Sequence, residues 1–286
     1  MHGATRPFAD TQRLTAPFYG SARALTHLSM ATRKKPARDG TRALPEVSIS
    51  EDGDVRHLHL GTPWIQGSMR LDDPVALELE YIQRMMAWLL FVEPDTVAER
   101  HAMQLGLGAG AITKFCHRTL GMCTTAVELN PQVVAVCRQW FRLPPDGPMQ
   151  RVVLADAAEE IRSPEWTGTV DALAVDLYDH EAAAPVLDSP QFYGDCRAAL
   201  SDEGCMTVNL FGRSSSYARS VQSLAEAFGP DALWAFKPTR EGNTVVLAQR
   251  TPRRPSRAVL QARADAIQAR WGLPAVKWLR GFKPVD

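Results

Sequence analysis

Gln104 to Phe115 reads QLGLGAGAITKF. An apolar run enters a glycine-rich turn, and the turn opens into residues with helical habit. Gly106, Gly108 and Gly110 let the backbone reverse tightly and let a ligand approach with no Cβ in the way. A GxGxG spacing alone is a weak signal, so its meaning rests on what the chain does on either side.

Downstream, strands and helices alternate. TTAVEL (124–129) is followed by a helix from Pro131 to Phe141, RVVLAD (151–156) by a short helix, and VDALAVDLYD (170–179) by a longer connection. CMTVNLF (205–211) follows a helix around FYGDCRAALSDEG, and LWAFKPT with NTVVLAQ reads as a closing antiparallel hairpin. Strands separated by helices imply an α/β, Rossmann-like fold with a mainly parallel sheet and right-handed crossovers.

Upstream, EVSIS, the acidic turn EDGD and VRHLHLG alternate with period two, a hairpin signature, and TPWIQGSMRL closes a small β unit. His57 and His59 share a strand face there, but no third metal ligand stands near them. DDPVALELEYIQRMMAWLLF (72–91) predicts one helix with Asp72 or Asp73 as N-cap and Pro74 at N1. The expected organisation is a basic arm over 1–43, a small β unit over 44–72, a nucleoside-binding catalytic domain over 73–250, and a linker with a C-terminal helix over 251–286. The arm, rich in Arg, Lys, Ala, Thr and Pro, lacks a repeating apolar face and reads as a flexible leader, an over-extended start ahead of Met30, or a segment for an acidic partner. The aromatic, basic stretch RWGLPAVKWLRGFKP (270–284) could dock on its own domain or on a partner subunit.

Three acids give the glycine turn its weight. Glu128 falls at the end of the strand after the turn, where a carboxylate accepts both hydroxyls of a ribose; with the turn it fits a dinucleotide or an adenosyl ligand. Asp156, followed by Ala157, ends the next strand, where it can hold an adenine amino group. That second acid, and a GxGxG rather than GxGxxG spacing, favour a nucleoside with a sulfonium tail over a pyrophosphate. The third strand ends in VDLYDHE, where Asp176 and Asp179 straddle Tyr178. A carboxylate there attracts a cationic amine and accepts its proton, and neighbouring acids raise one another's pKa.

Composition narrows the partners. Thirty-two lysines and arginines balance 32 aspartates and glutamates, so no global field recruits nucleic acid or an anionic membrane, and a small molecule is favoured. The tryptophans are scattered over different elements with no basic stripe beside them, as expected for packing. Five cysteines show no metal-ligand spacing and read as reduced thiols; with no apolar run of about 18 residues and no secretory signal, the expectation is a cytoplasmic protein without a metal.

In this ordered set the chain resembles the polyamine aminopropyltransferases, the spermidine and spermine synthase family. The matching phrases are WIQGSM, the segment with Tyr81 and Met85–Met86, LGLGAG, AVELNPQVV with FRLP, LADA, the DxxD of Asp176 and Asp179, and FYGDCRAALSDEG, spanning Leu58 to Gln249. The resemblance implies transfer of an aminopropyl group from decarboxylated S-adenosylmethionine to a putrescine-like amine, releasing methylthioadenosine, by a homodimer or larger assembly. It implies that Glu128 binds ribose, Asp156 the adenine, Tyr81 and Asp179 the amine, and that Asp176 accepts the proton, with Gln66 near the mouth of the site; the loop reading adds Tyr178, between the two acids, as a residue that holds the amine.

The chain also departs from that family. Ala109 stands where an aspartate grips the aminopropyl ammonium, Ile82 where a His or Gln touches the amine, and His180 where proline is common. An acid-free turn accepts a methionine carboxylate, so S-adenosylmethionine-dependent methyl transfer on the same scaffold is a second reading, and a non-catalytic nucleoside-binding homologue a third.

Overall fold

The computed structural model describes residues 44–177, 187–211 and 214–285. Strands β1 (Val47–Asp52), β2 (Val55–Leu60) and β3 (Gly67–Arg70) form an antiparallel sheet in that order. Gly53, at φ 56°, takes the left-handed position in the turn between β1 and β2. The two histidines on this sheet pair with neighbours: His57 Nδ1 lies 2.8 Å from Ser68 Oγ, and His59 Nε2 lies 2.7 Å from Ser50 Oγ. No cluster of three or more metal-binding side chains occurs among the described residues.

The helix expected from Pro74 starts later. Residues 72–79 turn without helical hydrogen bonding, and α1 spans Glu80–Met85, with Leu79 extended at its N-cap. A turn closed by Ala76 N donating to Asp73 O, burial of Leu77, and the Gln83 amide donating to Leu77 O hold that segment open. After α1 the chain tightens into a 3₁₀ stretch, Met86–Phe91, in which every side chain is buried. Arginines satisfy its last carbonyls: Arg263 donates to Leu90 O and Arg253 to Phe91 O, so orphan helix-end acceptors are met from the C-terminal segment.

The large sheet contains β4 (His101–Leu105), β5 (Cys123–Glu128), β6 (Gln150–Leu154), β7 (Val170–Val175), β8 (Leu200–Phe211), β9 (Leu233–Ala235), β10 (Asn243–Gln249) and β11 (Lys283–Pro284). Its order is β11-β9-β10-β8-β7-β4-β5-β6, with β4 to β8 parallel and the other flank antiparallel. The helices are α2 (Ala111–Lys114), α3 (Pro131–Trp140), α4 (Ala157–Glu160), α5 (Pro190–Ala199), α6 (Ser214–Phe228), α7 (Arg257–Trp271) and α8 (Ala275–Trp278). Start signals read from sequence do their work: Pro131 follows the cap Asn130, whose side chain accepts from Gln132 N, and Pro190 follows the cap Ser189. The helix after the glycine turn widens into a π turn over Phe115–Thr119.

Chain order runs outward from β4 through β5 to β6, then returns to β7 on the other side of β4. The crevice at the carboxyl ends of β4 and β7 is therefore a topological switch point, where such sheets bind ligands. On one face the core packs α1, the 3₁₀ stretch and the C-terminal helices, and on the other α5 and α6. A third cluster joins β2, β3, the glycine turn and α3.

The C-terminal stretch docks on its own domain. β11 pairs with β9, and Phe282 stacks on Phe236 at 4.5 Å and on Trp234 at 5.4 Å between ring centroids.

Candidate active site

The glycine turn is clamped from two sides. Gly106 sits at φ 85°, and a Cβ there would fall 2.3 Å from the Asp176 carbonyl oxygen. On the other side, a Cβ at Gly67 of β3 would lie 2.6 Å from Ala109 N and 2.7 Å from Ala109 Cβ. Only glycine allows these approaches, so the turn, the end of β7 and the small sheet meet as backbone. Behind the turn, Gln104 is a buried polar residue inside an otherwise apolar strand. Its amide donates to Gly106 O at 2.7 Å, and its carbonyl accepts from Thr113 Oγ1 at 2.7 Å and from Thr113 N at 3.1 Å. Lys114, also buried, donates to Phe141 O at 2.7 Å, and burial lowers its pKa to about 8.

The three acids stand at the ends of consecutive strands. Glu128, last residue of β5, accepts from Leu107 N at 3.0 Å and Asn130 N at 2.8 Å, tying the turn to the neighbouring strand. Burial raises its pKa, and those backbone N–H groups oppose the rise. Each oxygen keeps a lone pair beyond its bond to the protein. Asp156 caps α4: its Oδ1 accepts from Ala158 N at 2.8 Å and Glu159 N at 3.3 Å, and Ala157 opens the helix.

Asp176 follows β7 directly. Its Oδ1 accepts from Asn209 Nδ2 at 3.0 Å and its Oδ2 from Tyr81 Oη at 3.2 Å. Burial raises its pKa, and the bonds from Asn209 and Tyr81 pull in the opposite direction. A carboxyl so placed holds its proton to higher pH than an exposed one.

A cavity opens beside this acid, lined among others by Gln66, Glu78, Ile82, Leu107, Ala109 and Asp176. Gln66 turns its Nε2 into a buried position with no hydrogen-bond partner among the described residues. Ile82 and Ala109 are buried apolar wall, and Ala109 also belongs to the core cluster with Leu58, Met69 and Phe141. The structure thus gathers Gly106, Gly108, Gly110, Glu128, Gln66, Tyr81 and Asp176 around one crevice, with Asp156 and Ala157 on the same sheet edge. Tyr178 and Asp179, with His180, lie outside the described residues. Asn209, Gln104 and Glu78 were not singled out from sequence; the first two carried the signal of a polar residue within an apolar strand.

A strand-end crevice of this kind on a doubly wound sheet, with a buried acid beside a cavity, belongs to the methyltransferase and spermidine synthase fold. The fold likeness is measured: a probable spermidine synthase from Corynebacterium glutamicum superposes with a TM-score of 0.63 at 20% identity, covering 83% of this chain and 87% of that one. Human methyltransferase-like protein 13, solved with SAH, gives a TM-score of 0.60 at 23% identity over 67% of this chain and 91% of that one. No protein-family model matches the sequence. Curated relatives are closer in sequence: a polyamine aminopropyltransferase of Neisseria meningitidis is 36% identical over 88% of this chain and 93% of its own length. One of Chromobacterium violaceum is 35% identical over 88% and 95%. The chain belongs to the polyamine aminopropyltransferase family and is a transferase.

Proposed function

We propose that this protein transfers an aminopropyl group from decarboxylated S-adenosylmethionine to a putrescine-like amine and releases methylthioadenosine. The observation that carries the reading is the buried Asp176 carboxyl, held by Tyr81 and Asn209 at the edge of the cavity beside the glycine turn. In this reading Gly106, Gly108 and Gly110 seat the nucleoside, Glu128 takes the ribose, and Asp156 with Ala157 the adenine. Gln66, Tyr81, Tyr178 and Asp179 position the amine. The neutral amine attacks the methylene beside the sulfonium in line; the C–S bond breaks as the C–N bond forms, and Asp176 takes the departing proton. Holding two reactants in line and away from water is the main source of acceleration. Neither step asks for a metal. Family membership favours a homodimer working in the cytoplasm.

The test is incubation of the purified chain with decarboxylated S-adenosylmethionine and a panel of diamines, followed by mass spectrometry. The expected result is an amine heavier by one aminopropyl group, with methylthioadenosine in equal amount; transfer of methyl from intact S-adenosylmethionine instead would overturn the proposal. That second reading has one observation in its favour: Ala109 brings no charge to the turn.

A further inference from the structure

The lining of the cavity contains two ionisable side chains, Asp176 and Glu78, and no lysine, arginine or histidine among the described residues. They sit differently. Asp176 is buried beside Asn209 and Tyr81, and burial pushes it toward its protonated form. Glu78 stands at the exposed rim, in the non-helical turn before α1. Its nearest cation, Arg70, is shared: one guanidinium nitrogen lies 4.0 Å from Glu78 while another lies 2.6 Å from Asp72. His57 also feels Glu78, but burial lowers the histidine's pKa and favours its neutral form.

We infer that Glu78 is a specificity-determining residue for the donor: its carboxylate selects a nucleoside whose tail is purely cationic and rejects one that also carries a carboxylate. The inference rests on the function proposed above. In the proposed reaction Asp176 exchanges a proton; Glu78 is the second carboxyl group of the lining and takes no part in that transfer. Ala109 and Ile82 are uncharged, so among the described lining residues Glu78 and Asp176 supply the charge that meets the donor tail. An intact methionine tail would bring its carboxylate toward two acids, with no cationic side chain in the lining among the described residues to receive it. A decarboxylated tail brings only the ammonium that this field attracts. Residues 72–79 place this side chain, because a helix running through them would carry it on a different path.

Calorimetric titration of the full chain tests this with three ligands: decarboxylated S-adenosylmethionine, intact S-adenosylmethionine, and methylthioadenosine, which lacks the charged tail. The wild type is expected to prefer the decarboxylated ligand. Glu78→Gln is expected to reduce that preference roughly five- to tenfold, as for loss of one charge-assisted contact, while methylthioadenosine affinity stays within about twofold. Glu78→Asp, which keeps the charge, is expected to retain most of the preference. An unchanged preference in Glu78→Gln overturns the inference and leaves the proposed function standing. Equal losses for all three ligands also overturn it, because they report damage to the fold rather than a lost charge. A wild type that binds none of the three overturns both.

Discussion

Tyr81 and Asp176, 95 residues apart in sequence, meet through a 3.2 Å hydrogen bond from the phenol to the carboxylate. Tyr81 comes from the short α1 ahead of the large sheet, and Asp176 from the end of β7. The bond joins the segment that follows the small sheet to the acid of the crevice.

Replacing Asp176 with Asn keeps the shape and removes the proposed proton acceptor. Turnover is expected to fall by about 10² to 10⁴, the usual contribution of a positioned acid or base, while methylthioadenosine binding stays measurable by calorimetry. Retained turnover would remove Asp176 from the proposed chemistry.

The same substitution is expected to stabilise the protein at neutral pH. Because burial raises the native carboxyl's pKa, the unfolded chain ionises first as pH rises. The folded state then carries a penalty that is complete above the native pKa and absent below the unfolded one. Thermal unfolding of Asp176→Asn should therefore exceed wild type at pH 7 and above, and the gain should shrink on acidification toward the ordinary carboxylate range. A constant difference across that range would show that the acid is not strained by burial.

Tyr81→Phe removes one of the two hydrogen bonds that hold the Asp176 carboxylate down against burial. Since the proposed reaction needs the carboxylate form, activity falls as pH drops through this pKa. The acid limb of kcat/KM is expected to move to higher pH in the variant. A limb that stays in place while kcat drops would assign Tyr81 to substrate contact alone.

Gly67→Ala places a methyl where Ala109 N and Cβ already stand, at 2.6 and 2.7 Å. Overpacking of this kind costs about 1 to 3 kcal/mol. Both urea unfolding and nucleoside affinity are expected to suffer, because the displaced atoms belong to the turn itself.

Phe282→Ala tests the docking of the C-terminal stretch. The ring is buried against Phe236, Trp234 and Phe91, and truncation of such a side chain costs about 3 to 5 kcal/mol. A loss below about 1 kcal/mol in urea unfolding would mean that the stretch contributes little to the fold.

Much of the crevice was legible because strand ends can be counted. Each acid closes an apolar run, and parallel order brings such ends to one edge, so the glycine turn, Glu128, Asp156 and Asp176 could be grouped from the sequence. Glu78 could not. In a helix beginning at Pro74 it is one more solvent-facing charge, and only the open turn over 72–79 carries it to the cavity. Local propensity favoured helix there, but burial of Leu77 and its bond from Gln83 prevailed. The Tyr81–Asp176 pairing reflects long-range packing that no local pattern records, and the resting place of Phe282 depends on aromatic partners on a distant hairpin.

The close approach of Gly106 to the Asp176 carbonyl leaves no slack between the floor of the proposed nucleoside seat and the group that faces it. Shifting one displaces the other, so remodelling the seat by enlarging the turn would misalign the acid at the same stroke. Redesign for a different donor therefore has its freedom in the side chains of the surrounding wall, at Glu78, Ile82 and Gln66.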